Sequence, residues 1–245
     1  MRPQIIFADE KGRHHLDDGA TAQRLRKACT YDDLSTVIIC PSRGVIPCRV
    51  VSSWIGLIRP MNQRVVGPLF GVGMEVGEAY NQMIEGILSH PEFSKYKYVL
   101  TVEEDNIPPP DGLLKLYESI EGKVDGRKYD VVGGLYFTKG ELGQPMIYGD
   151  PKVMPKNFLP QIPRVDQIQE ANGLGMGFNL FRLEIFRKMK SPWFKSVQEH
   201  KHNVGTTQLS QDLYFYANGA KEGLRYASDN RVRIGHFDHI EDVVW

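Results

Sequence analysis

Apolar positions along the chain switch between the period-two spacing of strands and the 3.6 spacing of helices, and the switches mark out its elements. In STVIICPSRG, residues 35–44, Val37, Ile38 and Ile39 form a continuous β-branched run, the pattern of a strand buried on both faces. GVGMEVGEAYNQMIEGIL, 71–88, then sets Val76, Tyr80, Met83, Ile84 and Ile87 at helical spacing, and YVLTVEEDN, 98–106, returns to strand. After the prolines at 108–110, Asp111 stands where it can cap a helix whose Leu113, Leu116, Tyr117 and Ile120 share one face. A turn leads to another strand through Val131 and Val132. The alternation predicts an α/β fold with a mostly parallel central sheet flanked by helices.

Between 140 and 170 the periodicity weakens under prolines at 145, 151, 155, 160 and 163, which predicts a long irregular excursion. Order returns at NGLGMGFNLFRLEIFRKM, at SQDLYFYANGAKEGL, and in the short strands RYAS and RVRIGHF. The second of these reads as a helix with Leu213, Tyr216, Ala217 and Ala220 inward and Gly223 ending it, so Asp212 falls in its first turn. Residues 1–35, with the apolar QIIF at 4–7 and a helix-like stretch at 21–29, read as an N-terminal appendage to a single domain spanning 36–245.

Composition narrows the picture. A chain of 245 residues that is 41% hydrophobic can bury a substantial core. Lys+Arg and Asp+Glu both number 30, so no global positive field recruits nucleic acid or anionic membrane. Cys29, Cys40 and Cys48 lack metal-type spacing and read as free thiols of a reducing, cytoplasmic compartment. No run reaches the roughly 18 apolar residues of a membrane span.

The chemistry concentrates where the strand at 98–102 ends. Glu103, Glu104 and Asp105 repel one another, and burial without partners costs several kcal/mol, so they need water, a proton or a bound cation. On extended backbone Glu103 and Asp105 point to one side and Glu104 to the other. In an open parallel sheet this strand end is where ligands gather. Asp212, at a helix N-terminus, is favoured as an ionised carboxylate and can accept a proton. The glycines at 71, 73 and 77 let backbone approach a ligand ahead of a helix N-terminus.

Taken in order, STVIICPSRG, GEAYN, VLTVEEDNIPPPDGLLKL, VVGGLYF, GLGMGFNLFRLEIF, QDLYFYANGAKEGLRY and IGHFDH resemble the nucleotide-sugar glycosyltransferases of the GT-A fold, most closely the family 2 type, over about residues 36–240. The resemblance implies a Rossmann-like sheet and a set of roles. Pro41, Ser42 and Arg43, with Glu78 and Asn81 of GEAYN, would contact the nucleotide. Glu103, Glu104 and Asp105 stand at the DXD position, with Glu where Asp is commoner at its head. Asp105 and His236 would hold Mn²⁺ or Mg²⁺, with Asp238 and His239 as rival ligands. Gln211 replaces the family's Glu, and Asp212 would be the base. GLGMGF, at 173–178, resembles the acceptor-side loop, and Trp193 could offer a sugar ring a flat wall. The donor would be a nucleoside-diphosphate sugar, and the acceptor a hydroxyl on a glycan, a small molecule or a modified nucleic-acid base. A nucleotidyltransferase, or a carbohydrate-binding protein without activity, would carry the same fold.

Overall fold

A computed structural model describes residues 23–24, 32–201 and 205–245. The apolar 4–7 segment and Cys29 lie outside them, as does the 21–29 stretch apart from Gln23 and Arg24. In chain order the elements are β1 (Thr36–Ser42), α1 (Cys48–Ile55), β2 (Val65–Val72), α2 (Val76–Ser89), β3 (Tyr98–Val102), β4 (Asn106–Ile107), α3 (Gly112–Ile120) and β5 (Val131–Leu135). Then come β6 (Ile147–Tyr148), β7 (Ile168–Ala171), β8 (Gly173–Leu174), β9 (Phe178–Arg182), α4 (Ile185–Lys188), β10 (Val197–Lys201), β11 (Gly205–Leu209), α5 (Gln211–Lys221), β12 (Tyr226–Arg233), β13 (Gly235–Asp238) and β14 (Val243–Val244).

A seven-stranded sheet in the order β2-β1-β3-β9-β5-β12-β7 forms the centre. β1 pairs in parallel with β2 and β3, and β5 with β12, whereas β9 runs antiparallel between β3 and β5 and β7 antiparallel on β12. The expected mostly parallel sheet is therefore mixed. Most strands do run one way, but the Phe178–Arg182 segment inserts head to tail at its middle. Hydrophobic periodicity carries burial and not direction, so nothing local distinguished β9 from a parallel strand.

Alternation in β1 shows why the sheet is buried on both faces. Val37 and Ile39 join one apolar cluster with Tyr80, Ile84 and Ile87 of α2 and Phe215 and Tyr216 of α5; Ile38 and Cys40 join another with Leu113, Leu116, Tyr117 and Ile120 of α3. Each such fully buried aliphatic contributes about 1.5–3 kcal/mol relative to exposure. α3 buries the face expected of it. Asp111 occupies its N-cap without a side-chain cap bond, because its carboxylate is taken by Lys115 at 3.0 Å and Arg24 at 3.5 Å. On α5 the buried residues are Asp212, Phe215, Tyr216 and Gly219 instead of the Leu213, Ala217 and Ala220 stripe. The Phe215 ring stacks on Phe194 at 5.0 Å and meets Phe181 edge-on at 5.4 Å, and this aromatic contact sets the rotation of the helix.

Among the elements that went unexpected are α1, the β10–β11 hairpin and the edge strand β2, whose VVGPLFGV is largely half-buried and lacks a continuous apolar run. The 140–170 excursion carries only short β6 and the start of β7. RYAS and RVRIGHF form one strand and its continuation, with Asp229 buried inside β12 and held by Ser119 Oγ at 2.7 Å and Arg231 at 2.7 Å. No helix among the described residues is long and apolar enough to cross a membrane.

Candidate active site

β1 and β3 run side by side and end together, so Ser42 and the acidic triplet meet although about sixty positions separate them. The chain turns sharply after β3, with Asn106 N–H donating to the Glu103 carbonyl at 3.0 Å, and the three carboxylates splay apart. Glu104 bends toward β1. It accepts from Ser42 Oγ at 2.8 Å and from Arg43 N–H at 2.9 Å, and the Arg43 guanidinium closes on its other oxygen. Burial pushes this carboxyl up, but the bonds from Arg43 and Ser42 outweigh it and leave it below its ordinary range.

Glu103 and Asp105 leave on the other side. Asp105 Oδ2 lies 2.7 Å from Lys139 Nζ and 3.3 Å from His236 Nε2. Burial raises the Asp105 carboxyl, yet its bonds to His236 and Lys139 bring it down to about 2. His236 is positioned by sheet register: β13 pairs antiparallel with β4, setting His236 opposite Asn106, and Phe237 N–H donates to the Asp105 carbonyl at 2.7 Å. Its Nδ1 sits 2.8 Å from the Phe137 carbonyl, an acceptor, so Nδ1 carries the proton. Nε2 then faces the Asp105 oxygen, donating to it when the ring is doubly protonated and presenting a lone pair that a cation can bridge when the ring is neutral. Asp238 instead closes a turn onto the N–H groups of Ile240 and Glu241, so His236 is the residue that faces Asp105.

Glu103 accepts one bond, from the buried Tyr80 hydroxyl at 3.2 Å. Burial first, and then the charges of Asp105 and Asp212, raise it from 4.5 to about 7. Asp212 is itself buried at the start of α5, where its Oδ1 accepts from Leu213 N–H at 2.9 Å and from the Ser210 hydroxyl. Burial lifts the Asp212 carboxyl above its ordinary range despite these bonds, which makes it a better proton acceptor than a solvated carboxylate. Glu103 also feels His236, so the charges of Asp105, Asp212 and His236 all act on this one carboxyl.

The remaining expected residues are placed differently. Pro41 lies within β1, paired with Gly71 of β2. Asn81 faces the 193–194 backbone: its amide oxygen accepts from Trp193 N–H at 2.9 Å and Phe194 N–H at 3.1 Å, and its Nδ2 donates to the Phe194 carbonyl at 2.7 Å. Glu78 is exposed on the first turn of α2 and accepts from Gln82 at 2.9 Å. Gln211 packs near Gly77, where an added Cβ would lie 3.1 Å from its own. Trp193 is a core residue, edge-on to Phe186 and donating to the Met189 carbonyl at 3.2 Å. In GLGMGF the close approach is to protein: a Cβ at Gly175 would meet the Tyr136 hydroxyl at 2.2 Å, and one at Gly177 the Asn106 Oδ1 at 2.6 Å. Lys139 and Tyr136 are site residues that sequence reasoning missed, since a lysine and a tyrosine past a strand end carry no motif.

A hard divalent ion fits the Asp105 and His236 pair as two protein donors, with further oxygens to come from a diphosphate and water. Among the described residues no group of three or more His, Cys, Asp or Glu side chains could hold an ion.

Neither a protein-family model nor a curated protein matches the sequence. Solved structures do. The crystal structure of A197 from STIV superposes with a TM-score of 0.57 over 86% of this chain and 92% of that one, at 20% identity. The crystal structure of GalNAc-T7 with UDP, GalNAc and Mn²⁺ superposes with a TM-score of 0.54 over 84% of this chain and 44% of that one, at 10% identity. At these identities the likeness is one of fold. The chain has a GT-A-like fold, a mixed α/β sheet flanked by helices.

Proposed function

We propose that this GT-A-like chain is a glycosyltransferase of the family 2 type, moving a sugar from a nucleoside-diphosphate donor to a hydroxyl acceptor with inversion. The observation that carries the reading is the carboxylate cluster at the end of β3, where an Asp105–His236 pair 3.3 Å apart and a buried, more basic Asp212 act on the same Glu103. A nucleotide-loaded GalNAc-T7 structure of like fold supports the donor class.

In this reading Asp105 and His236 hold Mn²⁺ or Mg²⁺, which when bound supplies Lewis-acid stabilisation of the departing diphosphate. Ser42 and Arg43 hold Glu104 rigid, so the β1 loop presents a fixed edge to the nucleotide. Asp212 takes the acceptor's proton as its oxygen attacks, a role suited to a carboxyl whose basicity burial has raised. Glu103 faces the donor from its Tyr80 bond. Asn81 fixes the 193–194 segment beneath, and Glu78 lies at the rim. With the base opposite the leaving group, displacement is in line.

Turnover of UDP- and GDP-sugars with and without Mn²⁺, scored by release of the nucleoside diphosphate, tests the reading. Transfer that needs the ion supports it. Turnover indifferent to chelation removes the metal from the mechanism, and the absence of turnover with every donor and acceptor class leaves a binding protein.

A further inference from the structure

Two residues shortly after β5 reach the acidic strand end and its histidine. Phe137 offers its carbonyl to His236 Nδ1 at 2.8 Å, and Lys139 lays its ammonium on Asp105 Oδ2 at 2.7 Å. The segment is closed on itself. Phe137 bridges Pro145, Thr138 N–H donates to the Gln144 carbonyl at 2.9 Å, its hydroxyl accepts from Gln144 N–H at 2.9 Å, and Gly140 turns the chain at a φ of +105°. Lys139 is thus delivered from a braced hairpin.

Its target matters. The oxygen it touches is the one that lies 3.3 Å from His236 Nε2, so the ammonium stands on the oxygen that a cation bridging Asp105 and His236 would need. Two cations in contact with one carboxylate oxygen repel each other strongly, and the ammonium and a divalent ion are therefore alternatives on Asp105. A compact charge on a flexible four-carbon stem can move to a neighbouring anion while its backbone stays fixed.

We infer that Lys139 is the resident cation of this site: it neutralises Asp105 while the donor is absent and moves to the diphosphate when the donor binds. The inference rests on reading the cleft as a diphosphate site. Lys139 would then hold the nucleotide even without metal, and divalent ion would take over Asp105 and His236 once the ammonium has left.

Calorimetric titration of UDP and of GDP into the wild type, Lys139→Met and Lys139→Arg, in EDTA and in Mn²⁺, tests it. The wild type should bind a diphosphate in EDTA. The Met variant should weaken that binding by about tenfold or more and the Arg variant by about threefold or less, as expected for loss or retention of a charge-assisted contact. Mn²⁺ should bring the Met variant back close to the wild type, and thermal melts verify that both variants fold. Equal affinity of wild type and Met variant in EDTA, or binding by the wild type only in Mn²⁺, overturns the role of Lys139 and leaves the transferase reading standing. Loss of binding in the Met variant together with no sugar transfer by the wild type does the reverse.

Discussion

Glu103 and Glu104 are neighbours in the chain and identical in type, yet the fold treats them oppositely. Glu104 turns toward β1 and meets three donors, from Ser42 and Arg43, which hold its carboxyl below the ordinary range. Glu103 turns into the cleft and meets a single tyrosine hydroxyl, burial and two more carboxylates, which lift it to about 7. One side of the strand end is braced and the other is left electrostatically unfinished. Perturbed carboxyls gathered at one strand end are the feature by which a candidate site is recognised.

The comparison breaks most visibly at Asp212, the deepest member of the unfinished side. Asp212→Asn should lower turnover by about 10²- to 10⁴-fold, the range for removing a general base, while calorimetry finds UDP or GDP affinity within about twofold of the wild type. Turnover that survives would place the base elsewhere.

At Asn81, whose side chain is bonded to backbone, the cost should fall on stability. Asn81→Ala removes three bonds to the 193–194 backbone, and a loss of about 2–3 kcal/mol corresponds to a melting temperature lower by about 5–10 °C in a chain of this size, with diphosphate affinity little changed. An unchanged melt with lost affinity would move Asn81 into the donor site instead.

Glu104→Gln should cost about 1–2 kcal/mol near neutral pH. Because the folded state holds the Glu104 carboxyl below 4.5, its contribution is present above that value and fades as pH falls beneath it. Melts of variant and wild type should therefore converge in acid.

Glu103→Gln should show the opposite sign. A carboxyl raised from 4.5 to about 7 burdens the fold progressively between those values, since the unfolded chain ionises first and the folded one only later. Measured without divalent ions, the variant should match the wild type near pH 4.5 and melt higher above pH 7, by about 2–4 °C for each kcal/mol relieved. A variant that melts lower above pH 7 would mean that Glu103 is as well satisfied as its neighbour.

The local placement of these residues was readable before any fold was known. The acidic triplet, His236, and Asp212 in a helix first turn all stand where the chain order suggested, because each is tied to a local element whose burial period is written in adjacent residues. The tyrosine at position 80 could be seen to pack, but not to donate to Glu103, twenty-three positions away. Asn81 looked like a nucleotide contact and serves the backbone of a segment more than a hundred positions distant. The glycines of GLGMGF suggested room for a sugar and in fact make room for Tyr136 and Asn106.

The sequence by itself determined the elements of strongest hydrophobic period, among them β1, α2, β3, α3, β5 and α5, and which ends carry charge, since hydrophobic period and capping chemistry act over a few residues. Only the tertiary structure decided that β9 runs against its neighbours, that Glu103 and Glu104 part ways, and that Lys139 sits on Asp105. Those outcomes depend on partners dozens of positions away, and electrostatic environment is a property of what the folded chain brings within a few ångströms.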